Sequence, residues 1–149
     1  MVNLLSANPP LVVFVGIGNV LRRDDGTGVY IARNIRENQQ KRVIHAEVSI
    51  ENYIGKINSI QPDLIILIDS MFFGKNPGYC RLLSPGELVD FSTHTHNISL
   101  RRISEFFCSE TWVLGIQPAS VSFGEGISRK VQISADRIIA IINSDYSCF

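Results

Sequence analysis

Two strongly apolar runs in this chain end on residues that chemistry uses. Leu11-Val-Val-Phe-Val15 passes into Gly16-Ile-Gly-Asn19 and then Asp24-Asp25-Gly26, while Leu64-Ile-Ile-Leu-Ile68 stops at Asp69. Continuous branched-apolar residues without polar alternation suit strands of a sheet covered on both faces. In open sheets of this kind, ligands bind in the crevice outside the carboxyl ends of the strands. Asp25 and Asp69 therefore stand where a site is expected.

Strand and helix patterns alternate along residues 1–149 with no linker, repeat or low-complexity tract, which predicts a single domain built as one α/β layer structure. From Gly26 to about Gln39, the apolar positions Val29, Ile31, Ala32 and Ile35 share one helical face. Val43–Val48 reads as a second strand, and Glu51–Ile60 as a short helix with Tyr53, Ile54, Ile57 and Ile60 inward. Lys75-Asn-Pro-Gly78 specifies a tight reversal, so Tyr79–Leu83 returns as an antiparallel member of an otherwise parallel sheet. Ser84-Pro-Gly-Glu87 has the form of a helix entry, predicting a short helix to about Phe91. A further helix from Ile98 buries Leu100, Ile103, Phe106 and Phe107, and a strand follows at Thr111–Leu114. The last helix, Arg129–Asn143, turns Val131, Ile133, Ile138, Ile139, Ile141 and Ile142 inward.

Composition narrows the function. Fourteen basic residues balance fourteen acidic ones, so the basic footprint of a nucleic-acid binder is missing. No apolar stretch reaches the length of a membrane span, and Met1–Pro10 lacks the form of a signal peptide, so a cytoplasmic protein is expected. Cys80, Cys108 and Cys148 are odd in number and far apart, the pattern of reduced thiols. None lies in a motif marking a nucleophile, and H-E-x-x-H and G-x-S-x-G are both absent. Leu21 occupies the third glycine position of G-x-G-x-x-G, which argues against dinucleotide binding.

A third polar segment, Ser92-Thr-His-Thr-His-Asn97, sets two imidazoles in a loop just before a helix. Two carboxylates and one imidazole from three loops suit a divalent metal such as zinc, nickel or iron. Other roles exist for each residue. Asp24 or Asp25 can cap the following helix or favour its positive end, and spacing alone does not choose between His94 and His96.

The order of motifs resembles that of the nickel-iron hydrogenase maturation endopeptidases. The likeness rests on Gly16-Ile-Gly-Asn-Val-Leu-Arg-Arg-Asp-Asp-Gly-Thr-Gly28, the strand ending at Asp69, Asn76-Pro-Gly78, Thr95-His-Asn-Ile-Ser-Leu100 and Leu114-Gly-Ile-Gln-Pro118. It runs in order from about residue 11 to 142 and is nearest to the branch serving group 4, formate-hydrogenlyase-type hydrogenases. The resemblance implies a three-layer α/β sandwich of the phosphorylase/hydrolase-like kind, with a mostly parallel sheet of about five strands flanked by helices. It also implies removal of a C-terminal extension from a hydrogenase large-subunit precursor after nickel insertion. The family's metal-contacting residues fall on Asp25, Asp69 and His96, with Asp25 or Asp69 as the catalytic base, and His94 is left as an extra imidazole.

Nickel is then the implied metal, with another divalent ion able to stand in its place. It is either the protease's own catalytic ion or the nickel already held by the precursor, and the second role is the expectation because two carboxylates and one histidine without thiolate make a site of modest affinity. The partner is the precursor, and a monomer is the simplest state. One departure from the family pattern is His45-Ala-Glu47, where many relatives carry Asp-Gly-Gly; His45 and Glu47 read as exposed strand-end residues. Gln117 has an amide suited to hydrogen-bonding an extended peptide. Two other functions fit the same residues: a non-proteolytic nickel-binding or delivery module for hydrogenase assembly, and a small-molecule hydrolase or nucleoside-phosphorylase-like enzyme whose first loop cradles an anion.

Overall fold

The computed structural model describes residues 10–88 and 99–144. Five strands form one sheet in the order β2-β1-β3-β5-β4: β1 (Val12–Ile17), β2 (Lys41–Glu47), β3 (Leu64–Ser70), β4 (Cys80–Leu83) and β5 (Glu110–Ile116). β1 pairs in parallel with β2 and β3, and β3 with β5, while β4 runs antiparallel along β5 as the turn at Lys75–Gly78 requires. Among the described residues, four α-helices cover the sheet: α1 (Thr27–Arg33), α2 (Ile54–Ile60), α3 (Leu100–Ser104) and α4 (Arg129–Asn143). No helix among the described residues is long and apolar enough to cross a membrane.

Strand alternation divides the apolar runs between two cores. Val13, Val15 and Ile17 of β1 join Ile65 and Leu67 of β3 beneath Ile57 of α2 and Leu100 and Ile103 of α3. Phe14 and Ile68 face the opposite side, with Ile31 and Ile35 after the first loop and Val131 and Ala135 of α4. The result is the expected three-layer α/β sandwich. Each fully buried branched side chain adds about 1.5–3 kcal/mol, so two-sided burial explains runs with no polar interruption.

Several elements end sooner than periodicity predicts. α1 stops at Arg33 rather than near Gln39. Asn34 turns its side-chain amide back to the Tyr30 carbonyl (2.8 Å), and Asn143 at the end of α4 accepts from the Arg36 N–H (2.8 Å) and donates to the Asn34 carbonyl (2.9 Å). Those tertiary bonds replace the next helical turn, although Ile35 stays buried as its spacing implied. Asn143→Ala is expected to cost about 1 kcal/mol in urea unfolding, since water reaches both groups it releases.

The predicted helix after Ser84 is a single 3-10 turn, Pro85–Glu87, and Leu88 is already extended. Ser84 Oγ donates to Glu87 Oε1 (3.1 Å), pairing the two side chains instead of capping backbone N–H groups. Phe91 lies outside the described residues. On α4, Ile133 and Ile141 point to solvent, contrary to the inward reading, because the buried stripe follows Val131, Ala135, Ile138 and Ile142. Phe106 is likewise exposed, since α3 ends at Ser104 and only Phe107 turns back into the core.

Candidate active site

β1 is followed in sequence by β2 on one side, and β3 then lies on its other side, so the connections leave β1 and β3 in opposite directions. Open α/β sheets bind their ligands at such a reversal, outside the carboxyl ends of the strands, which here are those of β1 and β3. Gly18, at φ 139°, begins the turn beyond β1; a Cβ there would lie 1.9 Å from the Asp25 carbonyl oxygen. Gly28 carries no side chain for a similar reason, because its Cβ would lie 2.2 Å from the Ile68 carbonyl oxygen and 2.5 Å from that of Ile17. The first turn of α1 thus presses directly on the ends of β1 and β3 and brings Asp25 against the end of β3.

Asp25 and Asp69 are both fully buried. The Asn19 N–H donates to Asp25 Oδ2 (3.0 Å), and Ser70 Oγ donates to Asp25 Oδ1 (2.9 Å). The Ser70 N–H donates to Asp69 Oδ1 (2.9 Å). Two carboxylates from separate segments therefore meet on one serine, itself fully buried. Neither the 3-10 turn Arg23–Gly26 nor α1 receives a side-chain cap, so the capping role open to Asp25 in the sequence is not the one it plays.

Asp24, the neighbouring acid, points elsewhere. Its Oδ2 accepts from the Ala119 N–H (2.8 Å), the Ser120 N–H (3.1 Å) and Ser128 Oγ (2.7 Å), and its Oδ1 from the Ser128 N–H (2.6 Å). Backbone bonds continue the seam, from Asp24 N–H to the Ser120 carbonyl (3.1 Å) and from Arg23 N–H to the Gly124 carbonyl (2.9 Å). Asp24 locks the loop after β1 to the loop between β5 and α4.

Gln117 does not offer its amide to a peptide. Its Oε1 accepts from the Phe73 N–H (2.6 Å) and more weakly from that of Lys75 (3.5 Å), and its Nε2 donates to the Pro118 carbonyl (3.2 Å). The residue holds the β3–β4 connection against the end of β5. His45 and Glu47 are exposed as expected, with Glu47 facing Arg33 at 3.6 Å. His94 and His96 lie outside the described residues, and among those described no three His, Cys, Asp or Glu side chains form a metal-holding group. The residues that sequence reasoning missed are Ser70 and Asn19. Ser70 carried a signal, since two adjacent polar residues at the end of a buried strand leave one on each face needing a partner.

A cleft of about 260 Å³ beside this turn is lined by Val20, Arg23, Tyr30, Arg33, Ile127 and Gln132, and includes neither Asp25 nor Asp69. Tyr30 Oη donates to Asp136 Oδ1 (2.7 Å) and accepts from Gln132 Nε2 (2.5 Å). The hydrogen bond to Asp136 holds the phenol above its ordinary range, with burial acting the same way. An unfolded chain releases this proton first, so the contribution is complete below about pH 10 and is lost as pH rises through the folded value. Wild-type protein should lose more stability than Tyr30→Phe between about pH 9 and pH 11 in denaturant titrations. Burial pushes the Cys80 thiol up, the reverse of an activated nucleophile, and Cys108 is exposed.

Comparison with known proteins agrees with this architecture. A family model described as "Hydrogenase maturation protease" matches residues 28–145, a span that contains Asp69 and His96 and begins three residues after Asp25. The hydrogenase 3 maturation protease of Escherichia coli K12 is 26% identical over 132 residues, covering 85% of each chain. The crystal structure of a [NiFe] hydrogenase maturation protease HycI from Thermococcus kodakarensis superimposes with a TM-score of 0.79 at 28% identity, covering 92% of both chains. The endopeptidase HycI of Escherichia coli shares the fold, with a TM-score of 0.78 at 23% identity. With more than half its length matched by the family model, this chain belongs to the hydrogenase maturation proteases.

Proposed function

We propose that this protein is an endopeptidase that cleaves the C-terminal extension from a nickel-iron hydrogenase large-subunit precursor once nickel has been inserted. The observation that carries the reading is the meeting of Asp25 and Asp69 on Ser70 at the carboxyl ends of β1 and β3, in a chain of the maturation protease family. A buried carboxylate pair attracts a cation far more strongly than an exposed one, because little water screens it. Carboxylate oxygens with an imidazole are an acceptable donor set for nickel, so Asp25, Asp69 and His96 are the residues we assign to contact the ion.

That ion belongs to the substrate in this account: the precursor presents its own nickel, and the three side chains verify that it is there. Hydrolysis needs a water molecule to attack the scissile carbonyl. One of the two carboxylates takes the proton that this water loses, and the proton passes to the departing amine as the peptide bond breaks. Binding the nickel fixes the extension over the carboxylates, which turns a bimolecular encounter into an oriented one.

The test is incubation with a cognate large-subunit precursor, with the released C-terminal peptide followed by mass spectrometry. A single new peptide mass, absent with Asp25→Asn and Asp69→Asn, is the expected result. An intact precursor that nevertheless gains nickel would instead identify a delivery module.

A further inference from the structure

Ser70 follows a run of branched aliphatic residues and Asp69 in β3, at a fully buried position where packing alone favours an apolar side chain. A buried hydroxyl is costly unless it is hydrogen-bonded, so its partner indicates its purpose. One such partner is Asp25 Oδ1, at 2.9 Å, a residue reached across the sheet end and not a neighbour in β3. The same residue's N–H donates to Asp69 Oδ1 at 2.9 Å. Its backbone position is fixed independently, because Ser70 is in register with Ile116 of β5 and the next residue's N–H, that of Met71, donates to the Ile116 carbonyl (2.9 Å).

We infer that Ser70 is a positioning residue that sets the spacing and orientation of the Asp25 and Asp69 carboxylates toward the nickel of the precursor. The inference rests on the function proposed above. β3 supplies a rigid support, the amide orients one carboxylate and the hydroxyl orients the other. Without the hydroxyl, Asp25 keeps its bond from Asn19 at one oxygen but loses this tie to the strand that carries Asp69. Groups that orient a metal-contacting side chain typically change affinity or activity by about 10- to 100-fold when removed.

Ser70→Ala and Ser70→Thr are compared with wild type in two assays, cleavage of nickel-loaded precursor and calorimetric titration with Ni²⁺ alone, alongside thermal melts. Ser70→Ala is expected to lower kcat/KM and weaken Ni²⁺ binding, each by about 10-fold or more, with the folded fraction unchanged. Ser70→Thr, which keeps the donor, should recover most of both. Wild-type values for Ser70→Ala in both assays would overturn the inference. So would equal losses in a folded Ser70→Thr, since the hydroxyl would then not be the cause; should Ser70→Thr fail to fold, the Ser70→Ala result decides alone. A wild-type protein that neither cleaves nor binds Ni²⁺ would remove the proposed function itself, and this inference with it.

Discussion

Asp25→Asn and Asp69→Asn should each reduce precursor cleavage by about 10³-fold or more while leaving the protein folded. Each change preserves shape and removes the negative charge. In the Asp25→Asn variant the side-chain carbonyl can accept from the Asn19 N–H or from Ser70 Oγ, and the serine hydroxyl can reverse its bond to accept from the new amide. Stability should therefore fall by only about 1–2 kcal/mol. An amide neither takes a proton from water nor offers an anionic oxygen to a cation. General-base catalysis alone is worth about 10²- to 10⁴-fold, and the loss of the nickel contact adds to it. Peptide release measured against urea unfolding separates the two effects. Cleavage at more than a tenth of the wild-type rate by either folded variant would contradict the assignment.

Asp24→Ala, one residue away, should do the reverse and weaken the fold. Its carboxylate accepts from three backbone N–H groups and one hydroxyl of the loop between β5 and α4. Alanine leaves those donors in a part-buried seam without their acceptor, at about 1–3 kcal/mol for each that water does not reach. A total of about 3–5 kcal/mol is a large share of the roughly 5–15 kcal/mol that holds a domain of this size together. Melting should drop on the order of 10 °C. A loss under about 1 kcal/mol would mean that water already serves these groups. The pair of results distinguishes adjacent, equally buried acids by what each one faces.

Much of this was legible in the sequence because it depends on local pattern. The two uninterrupted apolar runs at Leu11–Val15 and Leu64–Ile68 read as strands covered on both faces, and both acids that follow them lie at the sheet's carboxyl edge. Asn76-Pro-Gly78 correctly announced the antiparallel return of β4. What pattern could not supply was tertiary. Asn143, more than a hundred residues away, decides where α1 ends. Asp24 and Asp25 are chemically identical neighbours; the motif resemblance singles out Asp25, but that Asp24 belongs to the scaffold shows only in the packing of the Ala119–Ser128 loop against it. Gln117 looked available to a peptide because its side chain was read without the Phe73 and Lys75 amides that occupy it. Ser70, the last residue of β3, offered only the general signal of a polar residue ending a buried strand, and its bond to Asp25 is visible only in the fold.

The measurement that bears most directly on the central claim is cleavage by metal-stripped protein of one precursor prepared in two forms, nickel-loaded and nickel-free, in the presence of a chelator that does not extract the inserted ion. Release of the C-terminal peptide from the loaded form alone is the predicted result, because the precursor brings the ion that Asp25, Asp69 and His96 are assigned to contact. Equal release from both forms, or release that returns only when metal is restored to the protease, would contradict it.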